Sequence, residues 1–136
     1  MSNNTSLFRV GDTYQVRQVI TPELMSAFHN ISGDDNPMHL DDAFARDHGF
    51  RGCIAYGNLM GAMLSHLVGA QLPTREILIL RQTLEFRLPG YVGDEIRLTA
   101  EVVAIHEAVS SIQLKLYFRT AEEGPICTGQ CLVKCL

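Results

Sequence analysis

The stretch GNLMGAMLSHLVGA, residues 57–70, decides the fold of this chain. Apolar side chains surround its helical wheel almost completely, and a helix that is apolar nearly all round is normally buried. Small residues recur at a strict four-residue step, at Gly57, Gly61, Ser65 and Gly69, so they lie along one ridge. Another element can approach the helix backbone closely along such a ridge. The stretch therefore predicts a central helix that is wrapped by a sheet or passes a narrow ligand channel.

Beyond Pro73 the apolar residues change from a helical to an alternating period. Four alternating segments follow one another, separated by turn sequences such as Pro89-Gly90 and Gly124-Pro125. A period of two is typical of a strand with one face covered. Consecutive strands with short connections predict an antiparallel meander curled over the central helix, which makes the fold class α+β.

Two further helices are predicted before the central one. Thr21 suits the N-cap and Pro22 the first helical position, while Gly33 suits the end of this helix. Its apolar face is expected to consist of Leu24, Phe28 and Ile31. A second helix is predicted to begin at Asp41-Asp42 and to stop near His48-Gly49, because acidic residues are favourable in a first helical turn.

Composition indicates a single globular domain. The 136 residues are 46% hydrophobic and 19% charged, which supplies enough apolar material for a core. We expect residues 1–7 to form a flexible tail and residues 8–136 to form the domain, beginning with a strand pair or extended arm over residues 8–20. The net charge of −4 and the scattered basic residues argue against nucleic acid or anionic lipid as a partner. Without a membrane-spanning or signal pattern, we expect a cytoplasmic protein that acts on a small molecule.

Three of the four cysteines, Cys127, Cys131 and Cys135, share one face of the last predicted strand. They show no CxxC spacing and no partnered histidine, so a metal or redox site is the weaker interpretation. We expect buried, reduced thiols that pack as small hydrophobic side chains.

Candidate chemistry lies in the segment Ile31-Ser32-Gly33-Asp34-Asp35-Asn36-Pro37-Met38-His39. Asp34 and His39 are a carboxylate and an imidazole five positions apart. Gly33 before them and Pro37 between them fix the backbone, so the two side chains can form a compact acid/base pair. Taken alone, however, the segment favours a turn and a helix cap, because Asp34 and Asn36 are common turn formers.

This segment, followed by Ala43-Phe44, resembles the hydratase motif of the MaoC-like, (R)-specific enoyl-CoA hydratases. Further positions resemble the family in the same order, namely Phe50, Ile54-Ala55, Gly57, Ser65, Gln71-Leu72-Pro73, Phe86-Arg87-Leu88-Pro89 and Val92-Gly93-Asp94. The resemblance extends over nearly the whole chain. It implies a single hot-dog domain, in which an antiparallel sheet wraps around a central buried helix.

The resemblance also implies an activity, the reversible hydration of a trans-2-enoyl-CoA to the (R)-3-hydroxyacyl-CoA, with Asp34 and His39 as the catalytic pair. Such a reaction needs a base for the attacking water, an acid for the α-carbon, and hydrogen-bond donors at the thioester oxygen. Gly57, at the predicted helix start, is the expected oxyanion donor. Asn36 and Ser65 are expected to support the pair, although Ser65 could equally bond back to its own helix.

Two residues depart from the family. The position before the oxyanion glycine is commonly His and the position after it is commonly apolar, whereas this chain has Tyr56 and Asn58. We expect these two side chains, together with Leu59 and Met60, to flank the substrate entrance or to line the pocket. The departure leaves the choice of substrate open.

Alternatives to CoA hydration remain. The same chemistry could act on chains carried by an acyl carrier protein in a biosynthetic pathway. A non-catalytic, acyl-thioester-binding hot-dog protein is a third interpretation, against which the intact catalytic pair argues. The family implies a homodimer, which would also protect an edge strand. No metal is expected, and no cofactor beyond the thioester carrier on the substrate. The remaining histidines are expected to be structural, namely His29, His48, His66 and His106.

Overall fold

The computed structural model describes residues 4–136, which form strands, α-helices and a few short turns of other helix types. The strands are β1 (Thr13–Val19), β2 (Ile77–Phe86), β3 (Glu95–His106), β4 (Ser111–Arg119) and β5 (Pro125–Cys135). The α-helices are α1 (Pro22–Ser32), α2 (Pro37–Leu40), α3 (Asp42–Asp47) and α4 (Leu59–His66). Asn4–Leu7 and Glu107–Val109 form 3₁₀ turns, and Leu67–Gln71 form a π-helical turn.

The sheet has five antiparallel strands in the order β1-β3-β4-β5-β2. The predicted meander is correct for β3, β4 and β5. It is wrong for β2, which pairs with β5 at the far edge and not with β3, its successor in the chain. Both hydrogen-bonding edges of β3 are taken, by β1 and by β4. Alternation therefore predicted which residues form strands, but it carries no information on which strands are neighbours.

The central helix is confirmed, with different ends. Gly57 and Asn58 form a turn ahead of α4, which begins at Leu59 and continues beyond His66 into the π-helical turn. The core side chains of this helix are Leu59, Met60, Met63, Leu64, Leu67 and Val68. The opposite side is open, because Ser65 and Gly69 are exposed. The prediction that this helix is buried on all sides is therefore wrong, because the ridge of small residues faces away from the core of the single chain.

Helix α1 has the predicted ends. The Thr21 hydroxyl oxygen accepts a hydrogen bond from the Leu24 N–H at 3.0 Å. Gly33 ends the helix in the left-handed conformation, with φ of 69°, which glycine adopts without steric cost. The predicted apolar face is partly wrong, since Ile31 is 84% exposed while Met25 is buried. A helical period predicts which side chains lie on the same face of a helix, but not how far along that face the core extends.

The predicted flexible tail needs correction. Residues 1–3 lie outside the described part of the chain, but Asn4–Leu7 form a 3₁₀ turn in which Thr5 is 3% exposed. The Asn4 side chain donates to Glu76 Oε2 at 3.1 Å and to the Leu136 carbonyl at 3.3 Å. These contacts fix residues 4–7 against the domain. The predicted arm over residues 8–20 is confirmed only from Thr13 onward, where β1 begins.

Strand β5 buries its cysteines as predicted, with Cys127 and Cys131 each 1% exposed and Cys135 3% exposed. Edge strand β2 differs, because Leu78 and Leu80 are each 53% exposed. None of the helices within residues 4–136 combines the length and the apolar character needed to cross a membrane.

Candidate active site

Asp34 lies in the short turn between α1 and α2. Its Oδ1 accepts a hydrogen bond from the Asn36 N–H at 3.0 Å, and its own N–H donates to Ser32 Oγ at 3.1 Å. Asn36 caps α2, because its side-chain oxygen accepts from the Met38 N–H at 3.0 Å. The turn interpretation of the segment is therefore correct. The turn also leaves a catalytic role open to Asp34, since its Oδ2 faces His39.

His39 is held on the one-turn helix α2. Its Nδ1 lies 2.8 Å from the Ile54 carbonyl oxygen. A carbonyl can only accept, so Nδ1 carries the proton and Nε2 of the neutral ring has a free lone pair. This Nε2 lies 3.8 Å from Asp34 Oδ2. The separation is too long for a direct hydrogen bond but suits one water molecule bonded to both groups.

Tyr56 packs behind this pair. It is 1% exposed, its hydroxyl donates to the Asp34 backbone carbonyl at 2.8 Å, and its ring stacks on His39 with centroids 4.2 Å apart. The Phe28 ring contacts the same tyrosine at 4.7 Å. Burial, followed by the charges of Asp34 and Asp35, raises the pKa of the Tyr56 phenol, so the hydroxyl keeps its proton.

The prediction that Tyr56 flanks the substrate entrance is therefore wrong. The turn before α4 directs the Tyr56 side chain inward, against Asp34 and His39. Tyr56 lies ahead of the two-residue turn that precedes α4, so the helical period of α4 does not predict where its side chain points.

An apolar cavity of about 330 Å³ opens on one side of the His39 ring. Gly57 and Met60 form one wall, residues 86–90 form another, and Ile126 and Cys127 close the far side. The lining is largely hydrophobic, as expected for a site that takes an alkyl or acyl chain. Met60, predicted to lie at the pocket or its entrance, lines this cavity.

Gly57 offers a hydrogen-bond donor at this cavity. No acceptor within residues 4–136 bonds its N–H, which lies in the turn that leads into α4. A Cβ added to Gly57 would come within 3.1 Å of the Phe86 ring. The glycine therefore keeps space open between the helix start and Phe86, where a polar ligand atom can reach the free N–H.

Three of the predicted site residues are not part of the lining of this cavity. Ser65 is exposed and, within the described chain, its hydroxyl bonds neither the pair nor the Gly61 carbonyl. Leu59 is buried against a separate, smaller cavity lined by Val16 and Leu24. Asn58 is exposed and forms no side-chain cap on α4. The four-residue step had placed Ser65 on the same ridge as Gly57, but Gly57 lines the cavity beside His39 whereas Ser65, two turns further along, is exposed.

Sequence reasoning missed a second pair of groups. His29 Nε2 lies 2.5 Å from Asp35 Oδ1, so the residue next to Asp34 has a histidine partner of its own. His29 and His39 both line a second cavity of about 330 Å³. The signal was the position of His29, four residues after the buried Met25 on the inward face of α1. Between residues 4 and 136, no cluster of three or more His, Cys, Asp or Glu residues is arranged to hold a metal ion.

Comparison with known proteins gives concordant matches. A family model described as "MaoC like domain" matches residues 8–122. An (R)-specific enoyl-CoA hydratase from Aeromonas caviae is 38% identical over 110 residues, 81% of this chain and 82% of that protein. A mitochondrial 3-hydroxyacyl-[acyl-carrier-protein] dehydratase from Arabidopsis thaliana is 32% identical over 110 residues, 81% of this chain and 65% of that protein. The solved structure of an (R)-hydratase from A. caviae has a TM-score of 0.89 at 34% identity, covering 95% of this chain and 98% of that one.

Proposed function

The chain belongs to the MaoC-like domain family and has the hot-dog fold, and from that premise we propose that it is an (R)-specific hydro-lyase. It adds water reversibly to a trans-2-enoyl-CoA and forms the (R)-3-hydroxyacyl-CoA. The observation that carries the proposal is the 3.8 Å gap between Asp34 Oδ2 and His39 Nε2, at the edge of an apolar cavity that also includes Gly57. A water molecule in the gap would meet the double bond of an acyl chain in the cavity.

His39 Nε2 takes one proton from this water while the water oxygen attacks C3 of the enoyl group. Asp34 accepts the second O–H as a hydrogen bond and stabilises the imidazolium that forms. The imidazolium then returns its proton to C2, which regenerates the neutral ring. Both parts of the water reach the same face of the double bond, so the addition is syn.

Gly57 stabilises the enolate that forms between these two steps. Its free N–H and the turn before α4 favour negative charge on the thioester oxygen. The acyl chain lies against Met60 and the apolar wall from Ile126 to Cys127. We propose that no metal and no cofactor takes part, since the substrate itself brings the activating thioester.

The test follows the ultraviolet absorbance of the conjugated thioester in crotonyl-CoA. Protein should lower this absorbance to its value at the hydration equilibrium, and the product should be the (R) enantiomer. Asp34→Asn and His39→Gln should each lower kcat by about 10²–10⁴-fold. The first removes the charge that stabilises the imidazolium, and the second removes the group that takes and returns the proton. His48→Gln is the matched control, since His48 Nδ1 also bonds a backbone carbonyl, that of Phe44 at 2.8 Å, but His48 caps the end of α3.

Two outcomes would contradict the assignment. If no enoyl-CoA of any chain length loses its absorbance, the hydratase activity is refuted. If either variant keeps full kcat, the substituted residue is removed from the mechanism. Circular dichroism of each variant establishes that a loss of activity is not a loss of fold.

Acyl chains on an acyl carrier protein are the second candidate substrate. The observation in favour is the similarity to the Arabidopsis thaliana protein, which is named for that carrier. Running the CoA and carrier-protein forms of the same enoyl chain side by side distinguishes the two. A kcat/KM at least tenfold higher on the carrier protein would assign the enzyme to biosynthesis of fatty acids.

We further propose that the protein is a cytoplasmic homodimer that serves fatty acid metabolism. The dimer is supported by edge strand β2, which presents Leu78 and Leu80 to solvent, each 53% exposed. A second copy would cover these side chains and pair the free backbone groups of the edge.

A further inference from the structure

The acid/base pair has no bond of its own to fix its spacing. Asp34 Oδ2 and His39 Nε2 are 3.8 Å apart, and the two residues belong to different elements, a turn and the short helix α2. Water held between two acceptors needs both at a fixed distance, and a shift of about 1 Å can cost roughly 100-fold in rate. Some other residue must therefore set the separation.

We propose that Tyr56 is a positioning residue that sets the distance between Asp34 and His39. Its side chain touches both, with its hydroxyl on the Asp34 carbonyl at 2.8 Å and its ring stacked on His39 at 4.2 Å. The proposal rests on the proposed hydratase function. It assigns Tyr56 no contact with the substrate and no proton transfer.

Tyr56 joins the backbone of Asp34 to a distant part of the chain, while the neighbouring Asp35 is held by His29 of α1. The other hydrogen bonds of Asp34 go to Ser32 and Asn36, each two residues away. These bonds shape the turn but do not anchor it. Within residues 4–136, the hydroxyl of Tyr56 provides the one hydrogen bond that joins Asp34 to a residue distant in sequence, 22 positions along the chain.

His39 is attached to the same short segment. Its Nδ1 bonds the Ile54 carbonyl at 2.8 Å, two residues before the tyrosine on whose ring it stacks. Gly57, the proposed oxyanion donor, follows directly. Residues 54–57 thus bond His39 through the Ile54 carbonyl and Asp34 through the Tyr56 phenol. The proposed oxyanion donor, the Gly57 N–H, lies on the same segment.

Tyr56 is itself well restrained. It is 1% exposed, and contact with Phe28 at 4.7 Å limits rotation of its ring. Because its pKa is raised, the phenol remains a donor throughout the neutral and mildly alkaline range. A donor that never ionises there suits a positioning role better than an acid/base role.

Two substitutions separate the hydroxyl from the ring. Tyr56→Phe keeps the stack on His39 and removes only the bond to Asp34, so we expect kcat for crotonyl-CoA hydration to fall about tenfold with KM changed less than twofold. Tyr56→Leu removes both contacts, and kcat should fall about 100-fold. Tyr14→Phe is the matched control: it deletes a partly buried phenol on β1 that interacts with Asp12, and kcat should not change.

The split between kcat and KM decides between positioning and other roles. If Tyr56→Phe raises KM and leaves kcat unchanged, Tyr56 contacts substrate and the proposal is overturned. If Tyr56→Phe and Tyr14→Phe both lower the melting temperature, but Tyr56→Phe keeps full kcat, the role of Tyr56 is only structural and the proposal is again overturned.

An NMR measurement tests the proposal without relying on turnover. In protein labelled with ¹³C,¹⁵N-histidine, the His39 ring protons should be shifted to low frequency by the stacked ring, in wild type and in Tyr56→Phe but not in Tyr56→Leu. Unchanged His39 signals in Tyr56→Leu would refute the positioning role. A wild-type protein that hydrates no thioester but shows the ring shift would refute the proposed function alone.

Discussion

Cys131 illustrates how burial changes the chemistry of a single residue. It is 1% exposed in the core, and desolvation raises the pKa of its thiol to about 12. Cys127, on the same strand, has its pKa raised to about 11, again chiefly by burial. The thiolate is the reactive and metal-binding form, so these side chains are held in the inert form and act as packing groups.

A pH dependence of stability follows from the raised thiol pKa values. Above pH 9.0, the ordinary value of the thiol, the unfolded chain loses the Cys131 proton while the native state keeps it. The free energy of unfolding should therefore fall as pH rises, by about 1.4 kcal/mol per pH unit for each such thiol. Urea denaturation between pH 9 and 11 should show a shallower decline for Cys131→Ala than for wild type.

Val133→Ala is the matched control for that experiment. Val133 is buried on the same face of β5, so its truncation also leaves a cavity, but it removes no proton. It should lower stability by a similar amount at every pH. A Cys131→Ala decline as steep as that of wild type would mean that the buried thiol ionises normally.

At the residue scale, sequence predicted chemistry better than environment. Asp34 and His39 were expected to form the catalytic pair because the segment resembles the family motif, since residue type and spacing alone favoured a turn; the structure brings their side chains within 3.8 Å. Tyr56 was wrongly predicted to lie at the substrate entrance. Whether a side chain near a helix start points inward depends on the path of the preceding turn, which the sequence pattern does not give. Ser65 was misjudged for a related reason: the helical period fixes its ridge, but not which way the ridge faces.

Strand β5 contains a glycine that fixes how closely two elements approach. Gly129 pairs with Leu84 of β2 on one side and with Leu116 of β4 on the other. A Cβ at this position would lie 1.9 Å from the Thr83 backbone oxygen. Since backbone cannot rotate away as a flexible side chain can, β2 would have to move.

Gly129→Ala should therefore be strongly destabilising, by about 3 kcal/mol, the upper part of the range for overpacking. The measurement is the urea midpoint, together with amide hydrogen exchange along β2, which should lose protection first. Gly124→Ala is the control, because a Cβ there meets nothing within 4 Å. Equal stability of the two variants would show that β2 adjusts freely.

At the scale of elements, most of the secondary structure was predictable. The ends of α1 followed from Thr21, Pro22 and Gly33, whose backbone requirements are local. The place of β2 was not predictable, because pairing of β2 with β5 depends on contacts between residues about 50 positions apart, such as Ile79 and Val133. Local patterns do not encode such contacts.

The assembly is a question for the whole molecule. Edge strand β2 exposes Leu78 and Leu80, and Phe86 at its end is 56% exposed. Apolar side chains along an unpaired edge are a hazard unless they are covered. We therefore expect sedimentation at micromolar concentration to give about twice the 15.1 kDa mass of one chain.

Leu80→Lys should weaken this dimer at least tenfold, because a charge would be buried at the interface. Val103→Lys is the control, since Val103 is an exposed apolar residue, at 41%, on the interior strand β3. A wild-type protein that sediments as a monomer, or two variants that dissociate equally, would contradict the use of β2 as the interface.

The order of the strands also affects how the chain folds during its synthesis. Strand β2 ends at Phe86, and its hydrogen-bonding partner β5 begins only at Pro125. During synthesis, therefore, β2 leaves the ribosome well before its partner exists, with both of its edges unpaired. Non-local pairing of this kind is slow to form, and an unpaired apolar strand is prone to aggregation in the interval. The nascent chain should thus depend on chaperones until β5 has emerged, although the finished domain is well packed.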